Sequence, residues 1–286
     1  MTERLAIVPI DAGSDVRGKY LDEPRIGTSS GKGKTAEAFR KVGYLANDSG
    51  RGYRTVAFAA AEEGVAAEDL VSSGLIDKWR RANVFGNHDI GLSFEGDVID
   101  ESELHGKRIS NIVADFGALP EVRVLMKDMK MSWLNWAKDE REMEVVALDG
   151  REMRSMVQDM AINENRVPGA FILAGFTMIV NPVEAARRRM SAREEIKYDD
   201  PNWWLNSGVM ETIGELRKRA LKDEDRDVDP VGIATYHKDL SEANVALVAE
   251  RTWKIGDEIL FDTTGISQDA VQDAGTYIVN KILETL

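Results

Sequence analysis

Two stretches of the chain carry residue types at spacings that suit phosphate. Residues 27–35 read "GTSSGKGKT" and residues 48–54 read "DSGRGYR". The rule G-x-x-x-x-G-K-[ST] needs glycines so that backbone N–H groups can wrap phosphate oxygens. Its lysine reaches the β/γ-phosphates and its hydroxyl residue sits on Mg²⁺. Residues 28–35 fit the second half of that rule, with Gly31 and Gly33 in the loop, then Lys34, Thr35 and a helical pattern. The first position holds Thr28, with Gly27 one place early. A second match, "GSDVRGKY" over 13–20, has a strand before it but Tyr20 where the hydroxyl ligand belongs, and no helix after it. The first is preferred, because Thr35 and the following helix are the parts that touch metal and phosphate. A flexible Gly/Ser/Lys linker is the plain alternative. In the other stretch, Asp48 and Ser49 are good helix N-caps. That explains a turn but not the pairing of Tyr53 with Arg54. An arginine beside a helix N-terminus sits where anions are already favoured, and its planar fork matches a phosphate.

Elements able to position these residues follow from the pattern. "RLAIVPI" (4–10) reads as a buried strand, and a helix is expected over about 53–63. Residues 84–99 look like a hairpin around a Gly-Asn-His-Asp turn, which makes His88 a turn residue. Helical pattern returns through "SNIVADF" and "PEVRVLMKDMKMSWLNWAKD", whose methionines read as helix core. The runs "EVVALDG" (144–150) and "GFTMIV" (175–180) have the continuous apolar character of central parallel strands. The helix "PVEAARRRMSAREE", a charged helix over about 210–224, a strand "DEILFDTTG" (257–265) and a last helix complete the chain. Strands alternating with helices predict an α/β fold with a mostly parallel sheet. Segments 198–208 and 231–254 look inserted, and "NWW" (202–204) reads as a local hydrophobic plug. "RRRM" (187–190) reads as the solvated face of a helix.

Composition narrows the chemistry. A chain of 286 residues with 43% hydrophobic content can bury a full core. Fifty acids against 37 bases give a net charge of −13, which argues against a nucleic-acid or anionic-membrane binder. It leaves room for a small anion in a local basic pocket. The absence of cysteine excludes disulfides and thiol nucleophiles. The three histidines lie far apart without i, i+4 pairing, so they do not suggest a metal site. No apolar run suits a signal peptide or a membrane span, and a cytoplasmic protein is expected.

In order along the chain, "GTSSGKGKTAEAF", "DSGRGYRTVA", "FEGDVIDESELHGKRISNIVADFGALPEVR", "VVALDGREM", "NPVEAARRRM", "LKDEDRD" and "ILFDTTGIS" together resemble the bacterial-type cytidylate kinase family. The resemblance covers most of 27–286 apart from the two insertions. It implies a P-loop NTPase-type parallel sheet flanked by helices, an inserted acceptor-binding subdomain over 61–139 and a helical lid over 210–230. It implies phosphoryl transfer from Mg·ATP to CMP or dCMP by a monomer. Lys34 and Thr35 would hold ATP and metal, with Gly31 and Gly33 in the phosphate loop. Ser49, Tyr53 and Arg54 would line the acceptor pocket, with Arg54 and Arg151 on its phosphate. Asp48 would orient that loop or the waters of the metal, and Asp149, at a strand end, would contact Mg²⁺ or its water shell. Arg123 and Glu152 would read the pyrimidine, Arg226 would serve from the lid, and Asp227 would reach the ribose. Three departures stand out. Glu152 replaces the usual Asp, Ala114 replaces an expected serine at the base, and the arginines flanking Arg226 are Asp, Glu, Val or Pro. Glu152 and Ala114 leave open a rival with another acceptor. An arginine finger is worth about 10³–10⁵ in rate in related systems, so the thinned lid and irregular P-loop leave open nucleotide binding without catalysis.

Overall fold

The computed structural model describes residues 4–12, 26, 29–193, 195–222, 235–237, 255–265 and 268–284. The alternative phosphate loop at 13–20, Gly27 and Thr28, Arg226 and Asp227, and the 231–254 insertion other than 235–237 lie outside them. In chain order the elements are β1 (Leu5–Ala12), α1 (Lys32–Lys41), β2 (Leu45–Asp48), α2 (Ser49–Glu62) and α3 (Leu75–Ala82). The hairpin β3 (Phe85–His88) and β4 (Gly91–Phe94) follows, then α4 (Glu101–His105), α5 (Lys107–Ala118), α6 (Pro120–Asp139) and β5 (Val145–Gly150). After α7 (Met153–Met156) and a π-helical turn come β6 (Ala170–Ile172), β7 (Ala174–Ile179), α8 (Pro182–Ala192), α9 (Val209–Lys222), β8 (Thr235–His237), β9 (Asp257–Asp262) and α10 (Gln268–Leu283).

The chain divides into two compact units. The first comprises residues 1–7, 44–149 and 155–171. Its β2 and β5 run parallel, with Leu45 opposite Val146 and Asp48 opposite Asp149. On the other side of β5, the Ala6 N–H donates to the Glu144 carbonyl at 2.8 Å. The register sets the two aspartates side by side at the carboxyl ends of neighbouring strands, the end at which open α/β sheets present their ligands. Helices α2, α3, α5 and α6 and the hairpin enclose a core that includes Val56, Trp79, Phe85, Phe94, Phe116 and Met126. Gly52 permits the closest approach in it, since a Cβ there would collide with the Met126 Cε.

The second unit comprises 8–43, 150–154 and 172–286. Within it the later part of β1, from Val8, and then β7, β9 and β8 lie in that order and pair in parallel, with Asp11 opposite Thr177 and Thr177 opposite Leu260. Ile26, Val180, Ala185, Met190, Ile213 and Leu216 form a satellite core, and Trp203 packs against it.

The α/β reading with parallel strands holds, and the differences are local. Strand β2 was not expected: "LAND" is short and half polar, yet Asn47 is buried. His88 ends β3 rather than sitting in the turn, which is made by Asp89 and Ile90. Met126 and Met131 are buried, as expected of helix core. The "NWW" plug is half right: Trp203 packs inward, while Trp204 is 59% exposed. The "RRRM" expectation fails for Arg188, which is 1% exposed. Helix α8 turns that side chain inward onto backbone carbonyls.

Candidate functional site

In the first unit the site is built on α2. Asp48 is its N-cap: the carboxylate Oδ1 accepts the N–H of Gly50 at 2.7 Å and of Arg51 at 3.3 Å. Capping satisfies donors that the first helical turn leaves without partners. Ser49, at the first helical position, is 4% exposed. Arg51 is buried and points away from solvent, pairing with Glu101 and donating to the Ile99 carbonyl at 2.5 Å. It ties the segment before α4 to the start of α2. This anchoring arginine was not singled out from the sequence; its only local signal is an arginine set between two glycines.

Arg54, three residues on, is half-buried. Its Nη1 donates to the Leu104 carbonyl at 3.0 Å and to the Ser110 Oγ at 3.1 Å. Its Nε and Nη2 make no hydrogen bond to the described residues. Burial pushes the guanidinium pKa down, and the charge of Asp48 pulls it back up. A partly desolvated cation with donors in reserve is a receptor for an anion. Tyr53 stands beside the end of α5, its Cδ1 3.8 Å from where a Cβ on Gly117 would lie. The Gly117 carbonyl accepts the Arg123 Nε–H at 2.9 Å. Pro120 at the start of α6 and the extended Leu119 before it place Arg123 in the first turn of that helix. The structure therefore brings Tyr53 and Arg123 to one end of α5, while Arg54 bonds near its start. Ala114, on α5, is exposed. His105 ends α4. Burial lowers its pKa first, then the charges of Arg54 and Arg51, with Asp48 acting in the opposite sense.

In the second unit, the N-cap of α1 is Gly31, which has φ 96° and offers no side-chain cap. Its carbonyl accepts the N–H groups of Lys34 at 3.0 Å and Thr35 at 3.1 Å. A side chain at Gly31 would be strained and would press on Val271, whose Cγ1 lies 2.9 Å from the Cβ position. Around Gly33 there is open space in the same sense. The Lys34 Nζ rests 3.2 Å from the Glu37 carboxylate. The Thr35 hydroxyl is buried and donates to the Met178 sulfur at 3.2 Å, a weak acceptor.

Arg151 and Glu152 are exposed in the turn before α7, and Glu152 has φ 58°. A side chain held in the left-handed region costs about 1–2 kcal/mol, so the turn is imposed by something. The brace is Asp11: its carboxylate accepts the Met153 N–H at 2.5 Å and the Arg154 N–H at 3.0 Å. Asp11 was not among the residues expected to matter. A lone acid at the end of a strand gives no local hint that it caps a turn 142 residues away.

The sequence profile of the family described as cytidylate kinase matches residues 22–247, most of the chain. The chain belongs to the cytidylate kinase family. Among its relatives, a protein named cytidylate kinase from Streptococcus thermophilus is 26% identical over 261 residues, covering 90% of this chain and 94% of its own. Another of that name, from Exiguobacterium, is 26% identical over 212 residues, covering 74% of this chain and 82% of its own. At that identity cytidylate kinase membership rests on extended correspondence rather than on any single motif. ATP as phosphoryl donor comes with the family. Among the described residues no helix is long and apolar enough to cross a membrane, and no group of three His, Asp or Glu side chains is placed to hold a metal.

Proposed function

We propose that this chain moves the γ-phosphoryl group of ATP to CMP or dCMP, yielding the nucleoside diphosphate and ADP. The observation that carries the reading is Arg54. It is half-buried beside the aromatic Tyr53, with guanidinium nitrogens in reserve, on the helix capped by Asp48. An oxygen of the acceptor phosphate attacks the γ-phosphorus, and the bond from that phosphorus to the β–γ bridging oxygen breaks. Such a transfer depends mainly on alignment and on stabilising charge over the moving group. Arg54 and Arg151 fix the acceptor phosphate as forks, and Lys34 and the backbone from Gly31 to Thr35 hold the phosphates of ATP. The open space at Gly33 is where a phosphate oxygen approaches backbone that a larger residue would shield. Tyr53 packs on the nucleoside. Arg123 donates to ring acceptors of the pyrimidine, and Glu152 accepts from its exocyclic amine. Ser49 lines the same pocket, and Arg226 and Asp227 serve from a lid over 210–230, with Asp227 on the ribose. Residues 61–139 act as the acceptor-binding insertion.

Thr35 and Asp149 suit Mg²⁺, because a hydroxyl and a carboxylate are hard oxygen donors and this ion takes few protein ligands alongside phosphates. The weak bond from Thr35 to Met178 is readily given up for such a role. Mg²⁺ held there would supply positive charge that offsets the charge on the phosphates. We further assign the protein to the cytoplasm as a monomer that does not bind nucleic acid.

The test is diphosphate formation from Mg·ATP with CMP, dCMP, UMP and AMP offered separately, comparing the wild type with Lys34→Ala. Turnover of CMP or dCMP that vanishes in the variant is expected. Turnover that survives would move the phosphate loop to Gly13–Lys19. ATP binding with no diphosphate from any acceptor would refute the kinase reading.

A further inference from the structure

The "RRRM" motif on α8 is not solvent-facing at Arg188, and the donors of this side chain go to unusual places. Its side chain is fully enclosed, and its Nε donates to Glu184 at 3.2 Å, one turn earlier. Nη1 donates to the Ser29 carbonyl at 3.0 Å and to the Thr263 Oγ1 at 2.9 Å, and Nη2 donates to the Thr263 carbonyl at 2.5 Å. The Thr263 hydroxyl, itself 0% exposed, lies 2.8 Å from the Ser30 carbonyl and 3.2 Å from that of Ile179. A buried guanidinium is costly unless its donors are satisfied. Here they are met by Glu184, by Thr263 and by the Ser29 carbonyl, and the last of these acceptors lies in the segment entering α1.

Ser29 and Ser30 immediately precede Gly31. Because a trans peptide is planar, its C=O and N–H point in opposite directions. Holding the carbonyls of Ser29 and Ser30 toward Arg188 and Thr263 therefore turns the N–H groups of Ser30 and Gly31 the other way. Ser29 has φ 60° and Gly31 φ 96°. Backbone that enters the left-handed region in this way forms the concave N–H nests that bind anions. For Ser29 that conformation carries a steric cost, so it persists only when something holds it. The bond from Arg188 falls on the carbonyl of that residue.

We propose that Arg188 and Thr263 form a buried brace that presets the phosphate-binding loop at 29–35, acting as positioning residues that never touch nucleotide. This rests on the reading of 29–35 as the loop that holds ATP. Glu184 anchors the other side of Arg188, and the Tyr198 hydroxyl bonds to the same carboxylate.

The experiment compares wild type, Thr263→Val, Thr263→Ser, Arg188→Lys and Lys34→Ala for ATP binding by calorimetry and for steady-state KM of ATP and of CMP. Cooperative thermal unfolding establishes that each protein is folded. Thr263→Val removes the hydroxyl at nearly constant volume, and Thr263→Ser keeps it. We expect Thr263→Val to raise the ATP Kd and KM about tenfold, the loss of roughly one buried hydrogen bond's worth of preorganisation. The CMP KM should stay within about twofold, and Thr263→Ser should recover most of the ATP affinity. If Thr263→Val fails to fold, Arg188→Lys reads the same quantity, because it keeps the charge and loses the fork. Folded Thr263→Val and Arg188→Lys proteins that bind ATP like wild type, while Lys34→Ala does not, would overturn the brace and leave the loop reading intact. Wild-type ATP affinity in Lys34→Ala would remove the loop reading and the brace with it. Equal loss of ATP and CMP affinity would indicate general loosening and also overturn the proposal.

Discussion

Replacing Arg54 tests the acceptor site most directly. In the structure this guanidinium spends one nitrogen on protein, Nη1 at 3.0 Å from the Leu104 carbonyl and 3.1 Å from the Ser110 Oγ. Removing the side chain therefore costs the fold at most two modest hydrogen bonds, about 1 kcal/mol each. A folded variant is expected. For the acceptor the loss is larger. Truncating one partner of a hydrogen-bonded, desolvated charge pair costs about 2–5 kcal/mol. At 1.4 kcal/mol per decade, kcat/KM for CMP in Arg54→Ala should fall roughly 30- to several thousand-fold. Arg54→Lys keeps a point charge but loses the planar fork, and a loss of about tenfold is expected. The ATP Kd should not change in either variant. The assay couples diphosphate formation to a spectroscopic readout with CMP and ATP varied separately, alongside thermal unfolding. A folded Arg54→Ala protein whose kcat/KM for CMP lies within about threefold of wild type would refute the assignment. The half-buried charge would then be a structural anchor for α4 and α5.

Two further outcomes follow from local geometry. Glu152→Gly should stabilise the protein by about 1 kcal/mol, because glycine adopts the φ of 58° without a Cβ penalty; it should also weaken discrimination between CMP and UMP, and unchanged melting together with unchanged selectivity would contradict both halves. His105 has its pKa lowered, chiefly by partial desolvation and then by Arg54 and Arg51, and because its side chain is still 58% exposed the effect is small. Glu101 lies 3.2 Å from its Nε2 but is mostly exposed and already pairs with Arg51, so it does not reverse the direction. The unfolded chain therefore takes up the proton more readily, so stability is full above the unfolded value near 6.5 and declines as pH falls below it. His105→Asn should flatten the melting temperature between pH 7 and pH 5.5, and an unaltered slope there would sink the assignment. Glu37 and Asp100, whose pKa values are lowered, act in a separate, more acidic window, where their stabilisation is lost as they protonate.

What residue order decided for this protein is what contiguous residues can encode. The cap at Asp48, the apolar runs of β5 and β7 and the periodicity of α6 and α10 are local signals, and each appears where its pattern placed it. The type of chemistry was legible in the same way, since "GKGKT" and "DSGRGYR" each keep the residues proposed to bind phosphate within one turn of helix and loop. Strand β2 escaped notice because burial of Asn47 is settled by its neighbour β5, not by its own polarity. Tertiary structure alone decided which charged residues brace the site. Arg188 reaches Ser29 across 159 positions and Thr263 across 75, and Asp11 reaches Met153 across 142. No helical or strand period links such partners, so an arginine bonded to loop carbonyls looks the same in sequence as one facing water. The distinction lies in burial: enclosed, its donors must find acceptors, and the acceptors on offer depend on how the strands and helices pack.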